Sequence, residues 1–182
     1  VEIWVFLWGN FVPSSSKSSL GGLLIRPATA DDHAAIWRLL EPVIRAGETY
    51  ALPRDMTAAA ALAYWMGAEK KTFVAEADGV AVGTYYIRAN NQGGGGHVAN
   101  CGYVAAPEAG GRGVARAMCE HSLQYARARG FRAMQFNFVV SSNERAVRLW
   151  QDLGFFTAGR LPGAFNHPSL GFVDALVMFL PL

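Results

Sequence analysis

From residue 23 onward, apolar positions recur with two alternating periods. Residues 23–27 form a short apolar run that predicts a strand. Asp31 or Asp32 then opens a stretch with apolar side chains at Ile36, Leu39, Leu40 and Val43, the spacing of one helix face. That helix is expected to stop near Gly47. The loop GETYALPRDM leads to an alanine-rich helix from Thr57 to Gly67. Residues 71–77 and 80–88 flank Asp78-Gly79, the dipeptide that best turns a hairpin, so they are expected as antiparallel neighbours. NNQGGGG, residues 90–96, links to a further strand at 97–104.

The second half repeats the alternation. Residues 112–129 predict a third helix, with Arg112, Arg116, Glu120, Gln124 and Arg127 as a polar stripe and Val114, Ala115, Met118 and Leu123 facing inward. Met134, Phe136 and Phe138 alternate as a strand does, and Ser141 with Glu144 three later reads as a capping box for a fourth helix ending at Gly154. Residues 155–161 and 172–180 are expected as the last two strands, joined by PGAFNHPSLG. The order β-α-α-β-β-β-α-β-α-β-β predicts an α/β fold with a mixed sheet, one domain over residues 23–182.

Composition narrows the class. The chain has 182 residues, 52% hydrophobic and 16% charged, enough for a real core, and its net charge of +2 is spread without a basic block, which argues against nucleic acid. Cys101 and Cys119 match no zinc spacing and read as core thiols, and no metal is expected. No apolar run reaches the roughly 18 residues that span a bilayer, so a cytoplasmic protein without a membrane partner is expected. Residues 1–22, apolar and then serine-rich, read as a loose tail or misassigned start, with a cleaved or membrane-associated segment as the alternative, and their aromatics suit pairing of two chains.

The segment APEAGGRGVARAMCEH places Gly110, Gly111 and Gly113 between a strand and a helix. Glycines there remove Cβ atoms, so that several backbone N–H groups reach one anion, aided by the helix dipole and by Arg112 and Arg116. A pyrophosphate suits the place. The Gly-Lys-Ser/Thr of a P-loop is absent, and Arg116 stands where the dinucleotide fingerprint needs its third glycine.

YVAAPEAGGRGVARAM followed by NERAVRLWQDLGF resembles the paired motifs of the GNAT family of N-acetyltransferases, over roughly residues 23–180. Gly110 stands where that family usually has Arg or Gln. The resemblance implies acetyl-CoA as co-substrate, its pyrophosphate held by the backbone of Gly111, Arg112, Gly113, Val114, Ala115 and Arg116, and its pantetheine bonded by Val104 and Ala106. Asn143 is expected to reach the cofactor's arm, and Trp150 replaces the tyrosine that protonates the leaving thiolate in the family. An indole donates a hydrogen bond but does not ionise usefully.

The family's glutamate on the preceding strand falls here at Ala99 or Asn100. Substitutes as base are His97, Tyr103 through a water, or Glu48. Glu48 and Tyr50, with Asp174, which resembles an aspartate of the phosphinothricin acetyltransferase branch, are expected to meet the acceptor. The resemblance implies direct transfer to a primary amine of a small molecule or peptide, an oxyanion met by a backbone N–H near Val104, and the amine held by the 47–50 and 162–171 loops. The competing reading is a catalytically impaired acyl-CoA sensor. Arg145 and Arg148 read as a solvated helix face.

Overall fold

Strands β2 (Leu24–Pro27), β3 (Lys71–Ala77), β4 (Val80–Ala89), β5 (Val98–Ala105), β6 (Ala133–Val140), β7 (Phe156–His167) and β8 (Gly171–Pro181) join in one sheet in the order β2-β3-β4-β5-β6-β8-β7. The computed structural model describes residues 22–182 and the backbone of β1, Val5–Phe6, which pairs parallel with Tyr103 and Val104 of β5. The expected loose tail otherwise lies outside the described residues. The predicted β3–β4 hairpin forms, with positive φ at both Asp78 (52°) and Gly79 (74°), as a type I′ turn requires.

Helices α1 (His33–Ala46), α2 (Ala58–Trp65), α3 (Val114–Ala128) and α4 (Glu144–Asp152) follow the predicted periods. The α1 stripe is buried at Ile36, Leu39, Leu40, Val43 and Ile44, and Gly47 closes the helix at φ 64°. Thr57 caps α2, its Oγ1 accepting from the Ala60 N–H at 3.2 Å. The expected capping role of Ser141 is corrected. The Ser141 N–H bonds to the Asp174 carbonyl of β8, and Asn143 caps α4 instead, its Oδ1 accepting from the Ala146 N–H at 3.2 Å. Gly154 ends the turn after α4 at φ 94°, as expected.

Adjacent tyrosines of β4 show how the layers divide, since neighbours on a strand point to opposite faces. Tyr85 bonds His121 of α3 at 2.6 Å, while Tyr86 packs edge-on against Trp65 of α2 at 4.9 Å. Trp150 of α4 lies against Tyr103 of β5, whose hydroxyl meets Ser122 of α3, so α4 shares the α3 face. Close approach on that face depends on Gly83, where a Cβ would stand 2.9 Å from Met118 Cε and Sδ and 3.1 Å from Val114 Cγ1.

The expected 162–171 loop is mostly strand. β7 runs on to His167 because register shifts between Thr157/Gly159 and Leu161/Phe165 absorb Pro162 and Gly163 as irregularities of an edge strand, where proline is tolerated. At the other edge, Arg26 of β2 donates to both carboxylate oxygens of Asp32 at 2.8 and 2.7 Å and to Glu76 of β3 at 2.6 Å. This pins the start of α1 to the sheet.

The feature that shapes the site is a parting of strands. β4 and β5 pair along their length from Gly83↔Ala105 to Ala89↔Ala99, whereas β5 and β6 pair only at Val98↔Ala133 and Ala99↔Met134. Beyond Ala99 the edge of β5 that faces β6 opens into a wedge.

Candidate functional site

The mouth of the wedge is the glycine turn. Gly111 and Gly113 adopt φ of 76° and 82°, a region that L side chains avoid, and the first intrahelical bond runs from the Ala117 N–H to the Gly113 carbonyl. The N–H groups of Val114, Ala115 and Arg116 thus have no acceptor within the helix, as at any helix N-terminus. Gly111, Gly113, Val114, Ala115 and Arg116 line a cavity of about 180 Å³ together with Ala105, Ala109, Arg145 and Leu149. Arg112 precedes α3 and does not line it. Arg145, expected on a solvated face, does, while Arg148 pairs with Glu144 at 3.1 Å. Arg116 is partly committed to Asp152 at 3.3 Å.

Backbone parity along β5 corrects the expected pantetheine contacts. The Ala106 N–H is bonded to the Val82 carbonyl at 2.8 Å, and the Val98 carbonyl accepts from Asn90, so even-numbered residues turn their peptide groups toward β4. The His97 carbonyl accepts from Arg132 at the start of β6, so odd-numbered ones face the wedge. Tyr103 and Ala105, rather than Val104 and Ala106, present N–H and C=O groups to the opening. The Tyr103 carbonyl accepts from the hydroxyl of Tyr50 at 3.2 Å.

Where the wedge narrows, three asparagines meet, Asn90 just after β4, Asn100 of β5 and Asn137 of β6. Asn90 Oδ1 accepts from Asn100 Nδ2 at 3.2 Å and from Asn137 Nδ2 at 2.7 Å; Asn100 Nδ2 also donates to the Gln135 carbonyl at 3.3 Å, and Gln135 Nε2 to Asn137 Oδ1 at 2.7 Å. Asn100 is fully buried, and its Oδ1 has no donor among the described residues. Asn100 was readable as a candidate. Asn90 and Asn137 were not, although an asparagine between Phe136 and Phe138 in a strand, where its propensity is low, is a usable signal.

The other candidates scatter. His97 is exposed at the opposite end of β5 from the glycine turn, its Nδ1 at 3.1 Å from the Gly94 carbonyl, so the structure does not bring it to the wedge mouth. Tyr103 points to the α3 face, bonded to Ser122 Oγ at 2.7 Å, and burial pushes its hydroxyl well above the usual tyrosine range. Ala99 is buried in the last β5–β6 pair. Tyr50 is buried, with its hydroxyl likewise pushed up by burial, and Glu48 lies half-buried two residues before it. The Asp174 carboxylate accepts from the Gly163 N–H at 2.8 Å and pairs with Arg160, and these bonds hold it below the usual carboxylate range. Trp150 is buried against Tyr103 (5.3 Å), Phe136 and Phe155, its Nε1–H without an acceptor among the described residues. Both cysteines are free and buried.

Residues 30–155 match the acetyltransferase (GNAT) family. A GCN5-related N-acetyltransferase from Kribbella flavida superposes with a TM-score of 0.84 at 42% identity, over 88% of this chain and 98% of that one. The yncA acetyltransferase of Salmonella typhimurium, solved with acetyl-CoA, superposes at TM-score 0.77 and 22% identity over 89% and 95% of the two chains, a likeness of fold. The N-acetyltransferase aca1 of Schizosaccharomyces pombe is 32% identical over 97 residues, 53% of this chain and 46% of that protein, so the match spans about half of that relative. With the mixed sheet, the parted β5 and β6 and the glycine turn at the head of α3, these matches identify the chain as a member of the GNAT acetyltransferase family.

Proposed function

We propose that the protein transfers an acetyl group from acetyl-CoA to a primary amine of a small molecule or peptide, both substrates being bound at once. The observation that carries this reading is the glycine turn at the mouth of the wedge. Two positive-φ glycines, the unbonded first N–H groups of α3 and the guanidinium of Arg145 line one cavity, a setting that suits a pyrophosphate. A peptide-like pantetheine arm would lie along Tyr103 and Ala105, whose backbone groups face the wedge and match its amides.

The chemistry then falls to few groups. The amine nitrogen attacks the thioester carbon, forming the C–N bond as the C–S bond breaks. A backbone N–H of Tyr103 or Ala105 would meet the developing oxyanion. The sulfur leaves with the electron pair, and Trp150 offers its Nε1–H as a hydrogen bond to it without giving up the proton. A thiol of reference pKa about 8.5 leaves tolerably in this way near neutrality. The amine's proton passes to solvent or to the thiolate.

Calorimetric titration with acetyl-CoA, followed by a thiol-release assay against mixed amines, tests the reading. Binding with release is expected. No binding would overturn it, and binding without release from any amine would favour the sensor.

A further inference from the structure

The cavity at the glycine turn is lined by two arginines whose surroundings differ. Arg145, on the first turn of α4, makes no hydrogen bond or ion pair with any described residue. Its Nη2 stands 3.9 Å from the point where a Cβ at Gly111 would lie, so the guanidinium hangs over the positive-φ turn with no side chain on Gly111 to separate them. A guanidinium presents a planar fork that meets two phosphate oxygens at once. Arg116, on the first turn of α3, is committed elsewhere. Its Nη2 donates to Asp152 Oδ2 at 3.3 Å, and its Nη1 lies 4.0 Å from Glu120 Oε1.

The neighbouring cations do not take its place. Arg112 precedes α3 and does not line the cavity, and Arg148 pairs with Glu144 at 3.1 Å. Asp152 closes α4, where the exposed carbonyl groups of a helix end disfavour a carboxylate. Its side chain is 65% exposed and that of Arg116 42%, so their bridge contributes little to stability. The consequence of the pair is local and electrostatic: it ties α3 to α4 beside the anion cradle and cancels a positive charge there. An incoming diphosphate meets Arg145 unopposed, but draws on Arg116 only by displacing Asp152.

We infer that the two arginines have divided roles: Arg145 is the side chain that grips the diphosphate of the acyl carrier, and Asp152 withholds Arg116 from it. The affinity of the cradle is thereby set below what its two guanidinium groups would give together. The inference rests on the acetyl-transfer reading and assigns roles within its donor site. Asp152 is a positioning residue, acting through Arg116.

Calorimetric titrations of the full chain with acetyl-CoA and with acetyl-dephospho-CoA, which keeps the diphosphate and lacks the 3′-phosphate, test both halves. Arg145→Gln should weaken both ligands about tenfold, the loss of one charge-assisted contact, and Arg145→Lys should recover part of it. Asp152→Asn should tighten both about threefold, a gain that misfolding does not produce. In an Arg116→Gln background the same Asp152→Asn change should have no effect, because the double-mutant cycle isolates the pair. A loss at Arg145→Gln confined to acetyl-CoA would assign Arg145 to the 3′-phosphate and overturn the first half, as would an unchanged affinity. Tightening by Asp152→Asn that persists without Arg116 would be a general field effect and overturns the second half, as does no tightening at all. Absence of acetyl-CoA binding by the wild-type chain overturns the acetyl-transfer reading and this inference with it.

Discussion

The hydroxyl of Tyr50 donates a hydrogen bond at 3.2 Å to the carbonyl of Tyr103, tying the loop after α1 to the edge of β5 turned away from β4. Both residues are buried, so Tyr50→Phe leaves a carbonyl short of its donor. A loss of about 1 kcal/mol, or about 2–4 °C in Tm, is expected by calorimetry. An unchanged Tm would show that the edge finds another donor.

Gly111 and Gly113 hold backbone angles that a side chain resists at about 1–2 kcal/mol each. Gly113→Ala should keep the far-ultraviolet circular dichroism of the fold and weaken acetyl-CoA binding by about tenfold, since the strained turn no longer aims its N–H groups. Undiminished affinity would mean that the pyrophosphate sits elsewhere.

Asp32 is the clearest source of acid sensitivity. Hydrogen bonds from Arg26 hold its carboxyl at about 2, below the ordinary aspartate value of 3.8. A depressed folded value means that the stabilisation is present above the unfolded pKa and is lost as pH falls toward 2. Wild-type stability should therefore decline from about pH 5 downward by about 2 kcal/mol through this group, and Asp32→Asn should flatten that limb. Denaturant titrations at pH 7 and pH 3 measure the difference, and parallel curves for both proteins would refute the assignment.

Trp150→Phe removes the indole N–H while keeping an aromatic ring against Tyr103 and Phe136. If that N–H meets the leaving sulfur, kcat should fall about tenfold with little change in KM for acetyl-CoA, the loss of one hydrogen bond made mainly in the transition state. Equal falls with a good and a poor thiolate leaving group would point to packing instead.

The pairing of Val5–Phe6 with Tyr103 and Val104 uses the edge assigned to the pantetheine arm. The two occupants exclude each other, so a chain beginning at residue 22 should bind acetyl-CoA tighter by about threefold or more. Identical affinities in paired calorimetric titrations would show that the strand yields without cost.

Much of this was legible in the sequence because it is local. Helix stripes, the Asp78-Gly79 hairpin and the turn after α4 follow from spacing and from single residues. Capping at α4 was misplaced by two residues because Ser141 is drawn off by Asp174, more than thirty positions away. The extent of β7 was hidden since Pro162 and Gly163 look like a loop until bulges accommodate them. Which peptide groups of β5 face the wedge depends on its register with β4, which no local pattern encodes. The asparagine cluster joins positions 90, 100 and 137, whose meeting requires the finished sheet.

Gly83 has a reach beyond its own contacts. Because a methyl there would press on Met118 and Val114, the distance between β4 and α3 is set by the absence of one carbon atom. The head of α3, Val114 included, is also the wall of the cavity beside Gly111, so the spacing of the anion cradle is gauged from the sheet beneath it. A substitution at this position would act like a shim, detuning affinity for the phosphates while leaving every residue that touches them unchanged.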